Sequence, residues 1–471
     1  MENKLEKRYG LMTAICMVIG IVVGSGVFFK AQSVLNHTQG SVPLGIVAWL
    51  IGGIVMMICA LNFANLGTRY EKVNGLVDYA EATMGRKYAY MIGWFATVLY
   101  YPSMTSVLAW VSARYTLELF GSSDITGGLC LALACFYLCM SFAVNALAPR
   151  LAGKFQVGTT FLKLIPLLLM AVVGLVVGLV NGNTVTVFTH VAPVESTMHP
   201  GGMVFVATVA TAFAYEGWII ATTINSELKD AKKNLPIALV VGCLVIVVVY
   251  IVYYIGLAGA APVEALMEQG ANVAFLSVFG KVGGTFLYVF VVISCLGTLN
   301  GLMLANERGM YSLAVRNEGP KPEVMGEVSR TVNMPVNSAV IALVINAFWM
   351  FYFYGANLYT APLFGVFSFD SSELPIITIY AMYIPMFIKV IKMHGKDGVW
   401  KNVILPVLGV LSAIFMVIAA VYAHGIAKYQ QAAAQGSFSC PVLFYLIVFA
   451  AIMILGNFFY KKQEKNREAQ L

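Results

Sequence analysis

Long apolar runs alternate with short polar connections along the whole chain. Hydrophobic windows fall at about 10–32, 42–67, 88–116, 127–147, 155–180, 201–226, 236–259, 284–312, 337–354, 361–388, 401–425 and 440–460. At about 1.5 Å of rise per residue, runs of this kind cross a hydrocarbon core about 30 Å thick. The pattern predicts an all-α polytopic membrane protein with 12 transmembrane helices. Between the runs, Leu76-Val77-Asp78-Tyr79-Ala80 is amphipathic and predicts a short interfacial helix. Ser226 to Pro236 reads as a polar turn whose proline starts the next helix.

Two runs are interrupted where a spanning helix should be most regular. The first carries Val22-Val23-Gly24-Ser25-Gly26-Val27-Phe28 at its centre, which predicts an unwound turn. Backbone at membrane depth finds no partner in lipid, so such a turn persists only where it lines a cavity or meets a ligand. It leaves N–H groups bare at the start of one half-helix and C=O groups bare at the end of the other, which suits a carboxylate and an ammonium respectively. The competing reading is that these small residues only let helices pack closely. The sixth run repeats the anomaly, with Thr211-Ala212-Phe213-Ala214-Tyr215-Glu216-Gly217-Trp218 placing an acid and a glycine at mid-membrane. An offset of five spans reverses direction, so 10–180 and 201–388 read as a 5+5 inverted repeat with broken helices 1 and 6. Two peripheral helices follow in 401–460, and 1–9 and 461–471 are the terminal segments.

With 60% hydrophobic and 11% charged residues the chain is no soluble globule, and the net charge of +7 is better read as topology than as a nucleic-acid surface. Twenty-four of the 29 basic residues fall in alternate connections, against Lys30, Arg114, Lys281 and Lys428 in the other set and Lys163 inside a span. That split places both termini in the cytoplasm and the protein in the cytoplasmic membrane, the basic tail from Lys461 lying near anionic lipid headgroups. The first run lacks a small-residue cleavage pattern and is followed at once by another, so it reads as a retained span. Seven of the eight cysteines lie inside apolar runs and the histidines fall in connections or at span ends. Neither a disulfide framework nor a metal pattern emerges, and no cofactor is expected. No zinc motif or serine–histidine combination lies within the spans, which argues against an enzyme, and no charge rings argue for a channel.

Charges inside spans are costly and each needs a partner or a task. Lys163 lies deep in span 5, where its ammonium either donates to carbonyls freed by the break in span 1 or pairs with Glu216. Glu216 either attracts a cationic side chain or carries a proton. Asp370 and Glu373 in span 10 stand about one helical turn apart, as a proton or cation site or as acids that cap and pair in a locally broken helix. Tyr100-Tyr101-Pro102, Ser294, Thr298 and Asn300 are further polar positions able to line a path.

These residues resemble the L-type amino acid transporters of the amino acid–polyamine–organocation superfamily, and the bacterial serine/threonine and alanine/serine exchangers within it. Gly24-Ser25-Gly26-Val27-Phe28 and Phe213-Ala214-Tyr215-Glu216-Gly217-Trp218 are similar to the family's span-1 and span-6 signatures. Glu227-Leu228-Lys229 with Asn234-Leu235-Pro236 is similar to the turn that follows. Trp94, Pro102 and Tyr115, and Ser294 to Gly301 with Arg308, fit spans 3 and 8. The resemblance implies that Gly24, Ser25 and Gly26 bind a substrate carboxylate and that carbonyls near Val22, Phe213 and Ala214 take the amine. Phe213 would be an aromatic gate. It implies Lys163 at the family's sodium position, supported by Ser294 and Thr298, and hence sodium-independent exchange by alternating access. A proton-coupled amino acid symporter on the same fold is the alternative. Glu216 stands where many neutral-substrate members carry a small residue, which implies acceptance of cationic as well as neutral amino acids. The loop from Glu118 to Thr126 contains no cysteine, so no disulfide-linked accessory subunit is expected.

Overall fold

A computed structural model describes residues 10–70, 75–189, 199–219, 228–359, 361–393 and 398–468. The helices in the first part of the chain are α1 (Leu11–Val22), α2 (Ser25–His37), α3 (Val42–Arg69), α4 (Leu76–Met84), α5 (Arg86–Phe95), α6 (Tyr101–Leu119), α7 (Gly128–Leu147), α8 (Pro149–Leu169), α9 (Leu175–Val180) and α10 (Asn183–Thr189). They continue as α11 (Pro200–Ala214), α12 (Ala231–Ala260), α13 (Val263–Gln269), α14 (Ala271–Glu307), α15 (Gly309–Ala314), α16 (Pro322–Met325), α17 (Val336–Phe353), α18 (Leu374–Lys392), α19 (Leu405–Val421), α20 (Ala427–Ala434) and α21 (Pro441–Glu468). Wide π turns carry α5 into α6, α8 into α9 and α19 into α20 without ending the run. Among the described residues, nine helices are long and apolar enough to cross a membrane, and ten if α1 and α2, bent by 47°, form one broken span. The molecule is a multi-pass helical membrane protein.

Contacts divide the chain into two compact units. The first gathers Met1–Tyr79, Thr160–Ser294 and Tyr380–Ala423. In it α12 lies along α3 and α1, α11 lies against α2 and α3, and α19 packs on α3. Small residues make these crossings close: a methyl group built on Gly242 of α12 would stand 2.7 Å from Cγ1 of Val18 in α1. The second unit gathers Ala80–Thr159, Cys295–Ile379 and His424–Leu471. There α6 packs against α7 and α17, and α21 against α5. Asn145 donates from Nδ2 to Oδ1 of Asn300 at 2.9 Å, so Asn300 serves as an interhelical tie.

Several expectations are corrected. The tenth span was placed at 361–388, but its helix α18 begins at Leu374, and the residues before it form turns and a single 3-10 turn at Gly365–Phe367. The apolar character that extends the window comes from Phe364, Phe367 and Phe369, which pack as rings against Tyr352, Phe444 and Tyr445 instead of forming a helical turn. Lys30 and Arg114, counted with connecting segments, lie inside α2 and α6 and are buried. His424, expected at a span end, sits within the continuous run that joins α19 to α20 and is buried. Residues 220–227, which include the end of the predicted span 6 and the start of its polar turn, lie outside the described residues, as do His190 and His394.

Candidate functional site

The first unit contains both interruptions. Helix α1 ends at Val22, Val23 turns to φ −68°, ψ 108°, and Gly24 takes φ −152°, ψ −148° before α2 starts at Ser25. Gly24 stands at the N-cap position with no side chain to offer, so the first N–H groups of α2 are left for a ligand or water. Ser25 is fully buried and its hydroxyl has no hydrogen-bond partner in the protein. A buried hydroxyl left in that state is costly, so a polar partner there would be stabilising.

Helix α11 ends at Ala214. Tyr215 leaves the helical well at φ −91°, ψ 2°, and Gly217 follows at φ +107°, a conformation that an L side chain rarely adopts. Glu216 therefore sits in the break itself. The two interruptions touch: a methyl group on Gly26 would stand 2.6 Å from Cα of Ala214. Close packing and unwinding, set out above as alternatives, thus occur together in this segment.

Tyr250 of α12 joins the carbonyl ends of both half-helices. Its buried hydroxyl lies 3.1 Å from the carbonyl oxygen of Val22 and 3.2 Å from that of Ala214. One phenolic proton serves one acceptor at a time, so two main-chain oxygens share a single neutral donor. Trp49 and Tyr215 wall the ring, with centroids 5.6 Å and 5.3 Å away.

Lys163 is fully buried, and its Nζ donates to the carbonyl oxygen of Gly20 at 3.1 Å, in the last turn of α1. Glu216, 5% exposed, lies close enough to act electrostatically on Cys59 of α3 and Tyr380 of α18. Beyond it Trp218 packs on Phe63 and Tyr383, at 5.7 Å and 6.3 Å between ring centroids. Phe213, in the last turn of α11, faces Phe29 edge-on at 6.3 Å. Ser294 is buried in the first unit, and Thr298 lies one turn further along α14 in the second. The structure thus brings Val22, Gly26 and Ala214 into one neighbourhood around the two breaks.

Asp370 and Glu373 belong to the second unit and precede α18 instead of sharing one of its faces. Asp370 accepts from the backbone N–H of Ser372 at 2.6 Å, an Asx turn that starts the helix. Glu373 is bound to His424, Oε2 to Nε2 at 3.1 Å, with both side chains under a tenth exposed. The reading in which these acids cap and pair describes their geometry.

Three residues escaped the sequence reading: Tyr250, His424 and Lys30. Tyr250 was one aromatic among many in an apolar run. His424 reads as a residue of a span end and Lys30 as one of a connection. Lys30 is 2% exposed, with its Nζ 5.1 Å from the ring centroid of Phe29 and 5.3 Å from that of Phe213.

A multi-pass helical bundle in which two interrupted helices meet at their breaks is the framework of a membrane permease. The family model described as amino acid permease matches residues 9–464, and the chain belongs to that family. It is 32% identical over 337 residues to the serine/threonine exchanger SteT of Bacillus subtilis (strain 168), covering 71% of this chain and 74% of the relative. The b(0,+)-type amino acid transporter 1 of Mus musculus is 27% identical, over 88% of this chain and 83% of its own. The cystine/glutamate transporter of Homo sapiens is 24% identical over 72% of this chain and 66% of its own.

Proposed function

We propose that this permease is a sodium-independent amino acid antiporter that exchanges amino acids across the cytoplasmic membrane by alternating access. The observation that carries the reading is the meeting of the two half-helix ends, with the carbonyl oxygens of Val22 and Ala214 within 3.1 Å and 3.2 Å of one hydroxyl. Main-chain donors at Gly24, Ser25 and Gly26 receive the α-carboxylate. The carbonyls of Val22, Phe213 and Ala214 receive the α-ammonium, and Phe213 closes over the substrate. Lys163, held on the carbonyl of Gly20, supplies a resident positive charge beside the broken helix, where a bound sodium ion would otherwise be required. The same charge provides no ion gradient for uphill uptake, which favours exchange. Glu216 in the second break attracts cationic side chains. The relatives named above, an exchanger and amino acid transporters, support the same substrate class.

This reading takes the architecture as 12 spans in a 5+5 inverted repeat with both termini cytoplasmic. The bent α1–α2 pair supports it, as do α11, 15 residues long, and the α5–α6 run, which add two crossings to the ten described above. The buried Glu373–His424 pair favours a second reading, proton-coupled uptake on the same fold. Purified protein in liposomes separates the two. Exchange predicts uptake of labelled serine only when amino acid is present inside, unchanged when choline replaces sodium. Accumulation in substrate-free vesicles driven by an inward proton gradient would overturn exchange in favour of symport.

A further inference from the structure

We propose that Lys30 sets the charge selectivity of the site, admitting substrate side chains that bear a carboxylate and opposing those that bear an ammonium or guanidinium. The proposal rests on the reading above of Phe213 as the ring that closes over the substrate.

Lys30 lies in the second turn of α2, the half-helix whose first turn faces the break. Its side chain does not reach for water: the residue is 2% exposed. The ammonium lies 5.1 Å from the ring centroid of Phe29 and 5.3 Å from that of Phe213, itself 5% exposed. These two rings meet edge-on at 6.3 Å, which presents faces to the same cation. The contact joins α2 to the last turn of α11 a few residues from the place where Gly26 and Ala214 bring the two backbones together. A side chain that moves Phe213 therefore moves against a buried positive charge, and the low polarity around that charge lengthens its reach.

Glu216 lies three residues beyond Phe213, past the end of α11. The ring thus has a cation of another helix beside it and an anion three residues further along its own chain segment. With a cation on the ring and an anion three residues further on, the selectivity is a difference between two electrostatic effects, and removal of one exposes the other. With Lys30 present, cationic side chains are held back and acidic ones tolerated; without it Glu216 alone decides.

The test is a competition assay for exchange of labelled serine in proteoliposomes, using two pairs of nearly isosteric competitors. Norleucine and lysine differ by an ammonium, and glutamine and glutamate by a charge on an oxygen-bearing end group. In the unaltered protein lysine should compete about tenfold less well than norleucine, the order expected for unit charges several ångströms apart in a partly polar interior. In Lys30→Met that gap should close to within about threefold, and glutamate should weaken about tenfold against glutamine. Lys30→Arg should keep the original ranking because it keeps the charge, whereas a purely structural role for the aliphatic stem would keep that ranking in Lys30→Met as well. A uniform shift of all four competitors in Lys30→Met overturns the proposal. If that variant does not insert, equal competition by lysine and norleucine in the unaltered protein overturns it just as well. Absence of exchange with every amino acid in the unaltered protein defeats the underlying reading of the site, a result distinct from transport that ignores side-chain charge.

Discussion

The hydroxyl of Tyr250 stands 3.1 Å from the carbonyl oxygen of Val22, the last residue of α1 before the chain unwinds. It is also 3.2 Å from that of Ala214, so one side chain on a third helix spans the gap between two half-helices. Tyr250→Phe keeps the ring contacts with Trp49 and Tyr215 and removes only this bridge. A hydrogen bond of this kind contributes about 1 kcal/mol net, so the affinity for every substrate should fall by about five- to tenfold while insertion is preserved. Half-saturation of serine exchange in liposomes measures it. An unchanged value would mean that the two carbonyls are held in place without the phenol.

Lys163 makes a different demand. Its ammonium is fully buried against the carbonyl of Gly20, and a buried charge that loses its partner is worse than no charge at all. Lys163→Ala should therefore insert and remain folded but exchange at least about a hundredfold more slowly, since the unwound end of α1 loses its fixed cation. Single-turnover exchange together with size-exclusion behaviour in detergent tests this. Normal exchange in Lys163→Ala would remove the account of sodium independence given above.

The limits of what the chain discloses by itself follow from locality. Gly24, Ser25 and Gly26 interrupt an apolar run within three positions, and Glu216 with Gly217 does so again, so both breaks can be read from adjacent letters. The start of α18 cannot, because Phe364, Phe367 and Phe369 are as apolar as any helix and their placement is decided by rings elsewhere in the chain. The same holds for His424 with Glu373, and for Lys30 with Phe213, pairs that the fold brings together from distant segments. A lysine counted by its neighbours belongs to a connection; by its contacts it belongs with the rings of Phe29 and Phe213.

Gly26 separates packing from ligand binding. A methyl group there would lie 2.6 Å from Cα of Ala214, a backbone atom that cannot swing aside. Gly26→Ala should push α2 from α11, with a loss of about 1–3 kcal/mol in stability and a proportional loss of affinity for every amino acid, whatever its side chain. The melting temperature and a twenty-amino-acid competition panel read the two effects. A loss confined to large side chains would place Gly26 beside the substrate's side chain and away from its carboxylate.

Outside the spans, the second unit is tied by charge. Glu318, 1% exposed at its side chain, receives a hydrogen bond from Nε of Arg86 at 2.6 Å and has Arg467 at 3.9 Å. Burial raises the pKa of Glu318 above the ordinary carboxylate value, and Arg86 opposes that rise. The folded chain thus holds this proton more tightly than the unfolded chain does. Its stabilising effect is present below the unfolded pKa and is lost as pH rises through the folded one. Arg86→Gln removes the main opposing interaction, so the folded pKa climbs further and the deficit against the unaltered protein grows with pH. The deficit should be small near pH 4 and reach about 1–3 kcal/mol at neutral pH, where a carboxylate would otherwise be buried with weaker compensation. Melting curves in detergent across that range measure it, and Glu318→Gln in the same background should flatten the difference. An Arg86→Gln deficit of equal size at both ends of the range would mean that Arg86 acts through its packing and its bond to the carbonyl of Arg316, and not through the charge on Glu318.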